Sequence, residues 1–184
     1  MAERALLPGE FAVLGLLALK PMHGYEMARY FDRDDLTEVC PIEQSLLYTY
    51  VRNVEERGLV TFTDERVGLR PPRKTYRLTE AGRLLVQMWL RQPVERMREI
   101  RLAFLLKLYF LEKLDAGAER DLLRRQIDVC EAYRERCAEK VERLDGFSRL
   151  VAQSKLSAAE SSLSWLRGYA WELDRSIGIN GPKS

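Results

Sequence analysis

The order of predicted elements in the first half of the chain is the strongest constraint on the fold. The run FAVLGLLAL is apolar on almost every side, which predicts a short buried helix that ends before Pro21. Two further helices follow, and the third ends at Gly58, because glycine readily takes the left-handed cap conformation. The three helices are predicted at Phe11–Leu19, about His23–Phe31 and about Ile42–Arg57.

Two strands are predicted directly after the third helix. Residues 59–63 and 74–78 are rich in β-branched and aromatic side chains. The segment between them carries Gly68 and the pair Pro71–Pro72, so it reads as the loop of a hairpin. Three helices followed by a strand, a loop and a returning strand are the order of a winged helix-turn-helix.

The second half of the chain is helical in pattern. Thr79 is placed to cap a fourth helix over about Glu80–Arg91, and Pro93 ends that helix. We therefore predict a mainly α protein with a small β-hairpin. It divides into a winged helix-turn-helix DNA-binding domain at residues 1–92 and a helical dimerisation domain at residues 93–184.

A heptad spacing in the second half predicts how that domain associates. Apolar residues recur every seven positions, which predicts one long helix packed against a partner helix. An ordinary helix of an intramolecular bundle is the alternative. A capping box at Ser157-Ala-Ala-Glu160 predicts the start of the final helix. The heptad positions are Leu123, Cys130, Cys137, Leu144 and Val151.

Composition argues against an enzyme or a metalloprotein. The chain has a single histidine, His23, so neither a multi-histidine metal centre nor a catalytic pair built on a second histidine is available within it. The three cysteines are widely spaced and are interpreted as small apolar residues. We expect no cofactor. No signal peptide is visible and the apolar runs are too short to span a membrane, so a cytoplasmic protein is expected.

Positive charge is concentrated in the hairpin loop. Residues 1–92 hold equal numbers of basic and acidic side chains, yet residues 66–77 hold five basic ones and no acidic one. A loop of this kind is suited to contact with DNA phosphates. A solvated charged loop is the alternative. The basic residues are Arg66, Arg70, Arg73, Lys74 and Arg77.

The third helix predicts a surface that reads base edges. Its apolar side, with Leu47, Val51 and Val54, is expected to face the domain, while polar side chains lie opposite. Amide side chains can pair with adenine and arginine with guanine or a phosphate. His23, at the start of the second helix, could contact a phosphate. The polar residues are Gln44, Ser45, Tyr48, Thr49, Arg52 and Asn53.

Three runs of sequence resemble the PadR family of bacterial transcription regulators. They are LGLLALKPMHGYEMARYF (14–31), SLLYTYVRNVEERGLV (45–60) and RKTYRLTEAGR (73–83). The first contains a Pro-x-x-Gly-Tyr motif at Pro21, Gly24 and Tyr25. The run MREIRLAFLLKLYFLEKL (97–114) is similar to the start of the vinculin-like helical domain of longer members.

The resemblance implies a homodimeric DNA-binding regulator, usually a repressor, that often leaves its operator when a small molecule or another signal arrives. It also adds Tyr25 to the expected DNA-binding residues. A two-fold dimer implies an inverted-repeat operator. Another class of function, a winged-helix module whose basic hairpin binds an acidic protein partner, is the alternative. Aromatic residues could line an effector pocket; they are Trp89, Trp165, Tyr169 and Trp171.

Overall fold

The computed structural model describes residues 4–33, 35–65 and 73–178. Most of these residues are helical, and the strands form one small antiparallel sheet. This confirms the predicted mainly α class. The helices are α1 (Pro8–Leu19), α2 (Gly24–Arg33), α3 (Leu36–Val39), α4 (Gln44–Glu56), α5 (Glu80–Arg91), α6 (Leu105–Leu114), α7 (Ala116–Arg143) and α8 (Gly146–Gly178), and the strands are β1 (Met22–His23), β2 (Val60–Glu65) and β3 (Arg73–Leu78).

The chain forms two compact units. One contains the described residues up to Arg91 together with Arg101–Asp115, and the other contains Gln92–Ile100 and the residues from Ala116 onward. The 3₁₀ turn Met97–Glu99 and a π-helical turn precede α6. The segment after α5 thus belongs to the second unit, whereas α6 belongs to the first.

Helix α1 forms the centre of the first unit. Pro8 occupies its first turn, where the missing N–H is not needed, and the Glu10 carboxylate accepts a hydrogen bond from the Leu7 N–H at 2.7 Å. Ala12, Val13 and Leu14 are fully buried, as the apolar run predicts. The helix begins three residues earlier than the apolar run because Pro8 and Glu10 complete its start.

The sheet has a strand that the sequence pattern did not predict. Its order is β1-β3-β2, with both pairs antiparallel, so Met22 lies opposite Tyr76 and Phe62 also lies opposite Tyr76 on the other side. β1 has only two residues, too short for an alternating pattern to appear. This strand joins the start of α2 to the hairpin.

The junctions of α4 and α5 with the sheet follow the predicted caps. Gly58 has a φ of 68°, and the Leu59 N–H donates to the Val54 carbonyl at 3.0 Å, which closes a Schellman motif after α4. The Thr79 hydroxyl accepts from the Gly82 N–H at 3.1 Å and so caps α5. Both predictions are confirmed.

The long heptad helix is a wrong prediction. The helix stops at Arg143 and the chain turns at Gly146, which has a φ of 56°. Leu144 therefore lies in the turn and Val151 on the next helix, so the five heptad positions do not form one seam. Ser157 lies inside α8 and starts no helix. The reason is that α7 and α8 bury apolar residues against each other, which satisfies the same spacing within one chain.

Two buried polar groups hold the second unit together. The Gln126 side chain is fully buried, accepts from the Val94 N–H at 2.7 Å and donates to the Val94 carbonyl at 2.9 Å. Glu119, also buried, accepts from the Tyr169 hydroxyl at 2.6 Å. The Gln126 side chain thereby pairs with both the N–H and the carbonyl group of Val94, in the segment that follows α5.

Candidate nucleic-acid interface

The outer face of α4 is exposed as predicted. Leu47, Val51 and Val54 are buried beneath it, which fixes the rotation of the helix. The exposed polar residues of this face are Gln44, Ser45, Tyr48, Thr49 and Arg52. The Thr49 hydroxyl donates to the Ser45 carbonyl at 3.1 Å, one turn back along the helix.

Asn53 does not belong to this exposed face. It is half-buried, and its Nδ2 donates to Glu10 Oε1 at 2.9 Å. Its amide is therefore engaged with α1, and the pairing of Asn53 with a base stays a prediction. The sequence could not reveal the contact, because the two residues are 43 positions apart.

Tyr48 packs against the start of α2. A Cβ built on Gly24 would lie 2.7 Å from the Tyr48 ring, so only glycine fits there without displacing the tyrosine. Tyr25, the next residue, is 54% exposed. In the Pro-x-x-Gly-Tyr motif, Gly24 thus leaves room for the Tyr48 ring of α4, and Tyr25 is exposed to solvent.

His23 joins the hairpin to α2. Its backbone N–H donates to the Glu26 carboxylate at 2.7 Å. Its Nδ1 lies 3.2 Å from both the Lys74 carbonyl oxygen and the Thr75 hydroxyl oxygen, and the tautomer decides which of the two it bonds. The ring is half-buried beside β3.

Two of the predicted wing cations lie at the start of β3. Arg73 and Lys74 are exposed, whereas Arg66 and Arg70 lie outside the described residues. The Lys74 ammonium sits 3.6 Å from the centroid of the Phe62 ring on β2. Phe62 also makes an edge contact with Tyr76, at 6.0 Å between centroids.

Residues of β1, α2, α4 and β3 line a small open pocket of about 290 Å³. Cationic and phenolic side chains line it, and none of the described residues that line it carries a carboxylate. Burial, together with the nearby Glu55 carboxylate, raises the pKa of Tyr76, so its phenol stays neutral. The pocket suits a small anionic group. Besides Gly24, its lining residues are His23, Tyr25, Tyr48, Arg73, Lys74 and Tyr76.

Tyr76, which lines the pocket, and Phe62, which contacts both Lys74 and Tyr76, are two residues that the sequence pattern did not single out. A signal was present, because Phe62, Lys74 and Tyr76 share one face of the hairpin when the strands pair in the observed register. The register itself depends on where the loop turns, which the pattern left open.

Of the four aromatic residues proposed for an effector pocket, Trp89 lies in the first unit and the other three lie on α8 of the second unit. Trp89 stacks on Phe11 at 4.3 Å within the first unit. Trp165 stacks on Tyr169 along α8 at 6.3 Å, while the exposed Trp171 contacts the Arg175 guanidinium. That these residues line an effector pocket stays a prediction.

Two negative findings concern the described residues only. They contain no group of three or more histidine, cysteine, aspartate or glutamate side chains that could hold a metal ion. Within the same ranges, none of the helices combines the length and the hydrophobicity that a membrane crossing requires.

Two protein families match successive parts of this chain. Residues 13–87 match the transcriptional regulator PadR-like family, and residues 100–174 match the virulence activator alpha C-terminal family. The negative transcriptional regulator PadR of Bacillus subtilis (strain 168) is 25% identical over 180 residues, which cover 90% of this chain and 97% of that protein.

Two solved structures are also similar to this chain. Bacillus subtilis PadR in complex with operator DNA is 24% identical, with a TM-score of 0.48, and the match covers 92% of this chain and 99% of that one. The Vibrio cholerae virulence activator AphA is 21% identical, with a TM-score of 0.39, and covers 91% and 99%. From its sequence match and its winged-helix unit, the chain belongs to the PadR-like family of transcriptional regulators, which are DNA-binding proteins and not enzymes.

Proposed function

We propose that this protein is a homodimeric repressor that binds an inverted-repeat operator through α4 and the β2–β3 hairpin. The observation that carries this proposal is that Tyr48 on α4, Tyr25 on α2 and Arg73 and Lys74 on β3 line one pocket, whose described lining residues include no carboxylate. A recognition helix and a basic hairpin that meet in this way can contact base edges and phosphates of one duplex. Repression is supported by the relative from Bacillus subtilis, which is named as a negative regulator.

Residues 1–92 supply the DNA-binding surface in this proposal, and residues 93–184 supply most of the dimer interface. The turn between α7 and α8 supports the second role because large apolar side chains are exposed there. Phe147 is 78% exposed and Leu150 is 58% exposed. Exposed apolar side chains concentrated in one place mark a surface that another molecule covers. A second copy of the chain is the partner that an inverted-repeat operator requires.

The dimer is tested by a charge placed on this surface. Phe147→Glu and Leu150→Glu are expected to weaken self-association by roughly tenfold or more each, because a two-fold interface contains each change twice. Sedimentation equilibrium measures the dissociation constant. Gln153→Glu, an exposed change of equal charge on α8, is the matched control. If both variants remain dimers of unchanged affinity, the interface lies elsewhere.

The operator is tested by selecting duplexes from a random pool with the purified full-length protein. An inverted repeat is expected, with half-site centres about 10–10.5 base pairs apart or at a multiple of that spacing. Selection of a single asymmetric site would contradict the two-fold arrangement. Absence of duplex binding at about 50 mM salt would contradict DNA binding itself.

Release by a small molecule is the regulatory part of the proposal. A ligand that binds the two states of the dimer unequally changes the separation of the two α4 helices and so lowers operator affinity. The matching test is a screen for compounds that release the selected duplex from the protein without lowering its melting temperature. A compound that only unfolds the protein would not count as an effector.

A further inference from the structure

The contact between Lys74 and Phe62 suggests a role for an apolar residue in DNA binding. The Lys74 ammonium lies 3.6 Å from the ring centroid, over the ring face. The electron-rich face of an aromatic ring attracts a cation and restricts where a flexible lysine side chain can go. Lys74 is also one of the residues that line the pocket, whereas Phe62 touches the pocket only through its contact with Lys74 and its edge contact with Tyr76.

The strand register places a carboxylate close to the same ammonium. Asp64 on β2 lies directly opposite Lys74, and Phe62 lies opposite Tyr76, two residues further along β3. The carboxylate of Asp64 is therefore a neighbour that could attract the same ammonium. Phe62 offers a neutral surface that holds the cation and leaves its charge available to a second anion.

We propose that Phe62 is a positioning residue for DNA binding, holding the Lys74 ammonium beside the pocket lined by His23 and Tyr48 so that the pocket binds one phosphate of the DNA backbone. The inference rests on the proposed DNA-binding function. It assigns the pocket to a phosphodiester, because two cations and neutral hydroxyl donors are the groups that bind phosphate oxygens. No base is read by this pocket.

A phosphate contact has a measurable signature in the salt dependence of binding. Each neutralised phosphate contributes about 0.9 to the slope of log affinity against log salt concentration. Lys74→Gln is therefore expected to lower the slope by about 0.9. It should also lower the affinity for the selected duplex and for a random duplex by the same factor. Lys74→Arg keeps the charge and is expected to keep the slope.

Phe62→Leu removes the ring face while keeping an apolar side chain. We expect a two- to fivefold loss of duplex affinity, the range typical of a partly exposed cation–π contact. Phe62→Tyr keeps the ring and is expected to bind like the wild type. In the Lys74→Gln background the Phe62→Leu change should cause no further loss, because the ring acts through Lys74.

The experiment is a double-mutant cycle on the full-length protein, with anisotropy titrations against a random duplex at several salt concentrations. Lys113→Gln is the matched control, since Lys113 also lies over a ring, that of Tyr109 at 4.4 Å, on α6 away from the pocket. Its slope should equal that of the wild type. If Phe62→Leu does not fold, Phe62→Met replaces it in the cycle.

Two results would overturn the inference. One is an unchanged salt slope in Lys74→Gln, and the other is an equal effect of Phe62→Leu with and without Lys74. Either can occur while the wild type binds duplex DNA with a steep salt dependence, in which case the proposed function stands and only the pocket assignment fails. A wild type that binds no duplex even at low salt would instead reject both.

Discussion

The side-chain amide of Asn53 donates to the buried carboxylate of Glu10 across 2.9 Å, which ties α4 to α1. The same carboxylate accepts from the Arg4 guanidinium at 2.6 Å and from the Leu7 N–H at 2.7 Å. Glu10 is fully buried, so these donors are what makes its charge tolerable inside the protein. The Glu10 carboxylate thus forms a hydrogen bond with the inner edge of α4, the helix that we propose reads DNA.

Glu10→Gln is expected to lower the free energy of unfolding by about 1–3 kcal/mol, because the new NH₂ group cannot accept the bonds that the carboxylate accepts. Urea denaturation at pH 7 measures this difference. Glu56→Gln, an exposed change near the end of α4, is the control and should shift stability by about 0.5 kcal/mol or less. Equal effects of the two changes would contradict the role of Glu10.

The same site predicts how stability depends on pH. Burial alone would raise the pKa of Glu10, but its hydrogen bonds to Arg4, Leu7 and Asn53 outweigh burial and hold the pKa below its ordinary value of 4.5. The carboxylate therefore stabilises the fold above that value, and the contribution is lost as pH falls through the lower folded pKa. The wild-type advantage over Glu10→Gln should be constant from pH 7 to about pH 5 and shrink below that. An advantage that grows on acidification would contradict this sign.

Gly24→Ala tests the contact between α2 and the recognition helix. The added Cβ would lie 2.7 Å from the Tyr48 ring, which must then move away from the pocket. We expect a stability loss of about 1 kcal/mol and a several-fold loss of duplex affinity. Tyr48→Ala should remove the clash, so the alanine at position 24 should have little further effect on stability in that background. Wild-type DNA affinity in Gly24→Ala would show that the Tyr48 position does not matter.

Two glycines in helices are expected to respond in opposite directions to alanine. At Gly82 a Cβ would overlap the Leu59 carbonyl oxygen, a backbone atom that cannot move away cheaply, so Gly82→Ala should destabilise by about 2–4 kcal/mol. At Gly168 on α8 an added methyl group would meet no atom within 4 Å, so Gly168→Ala should stabilise by about 0.5–1 kcal/mol. Thermal unfolding of both variants checks the pair, and destabilisation of equal size would refute it.

Local signals in the sequence were sufficient where structure depends on neighbouring residues. Gly58 identifies the end of α4, Thr79 the start of α5, and the polar face of α4 is exposed because its opposite face is apolar. These features depend on caps and periodicity, which act within one or two helical turns.

Two features could not be read from the periodicity of the sequence. Asn53 looks like its exposed neighbours in sequence, and only the folded chain brings Glu10 to it. The seven-residue spacing continues in the sequence through Leu144 and Val151, but both side chains are exposed, and the buried residues of α8 begin at Ala152. The pair Asp145 and Gly146 is a local turn signal, and in the folded chain it outweighs the repeat.

The most direct test of DNA recognition by α4 is the ratio of affinities for the selected operator and a scrambled duplex at about 0.15 M salt. The wild type should prefer the operator by on the order of 10³-fold or more. A Gln44→Ala, Arg52→Ala variant should lose most of that preference, while its melting temperature stays unchanged and its affinity for scrambled duplex falls much less. Equal wild-type affinity for the two duplexes, or a variant with the full preference, would contradict recognition by the exposed face of α4.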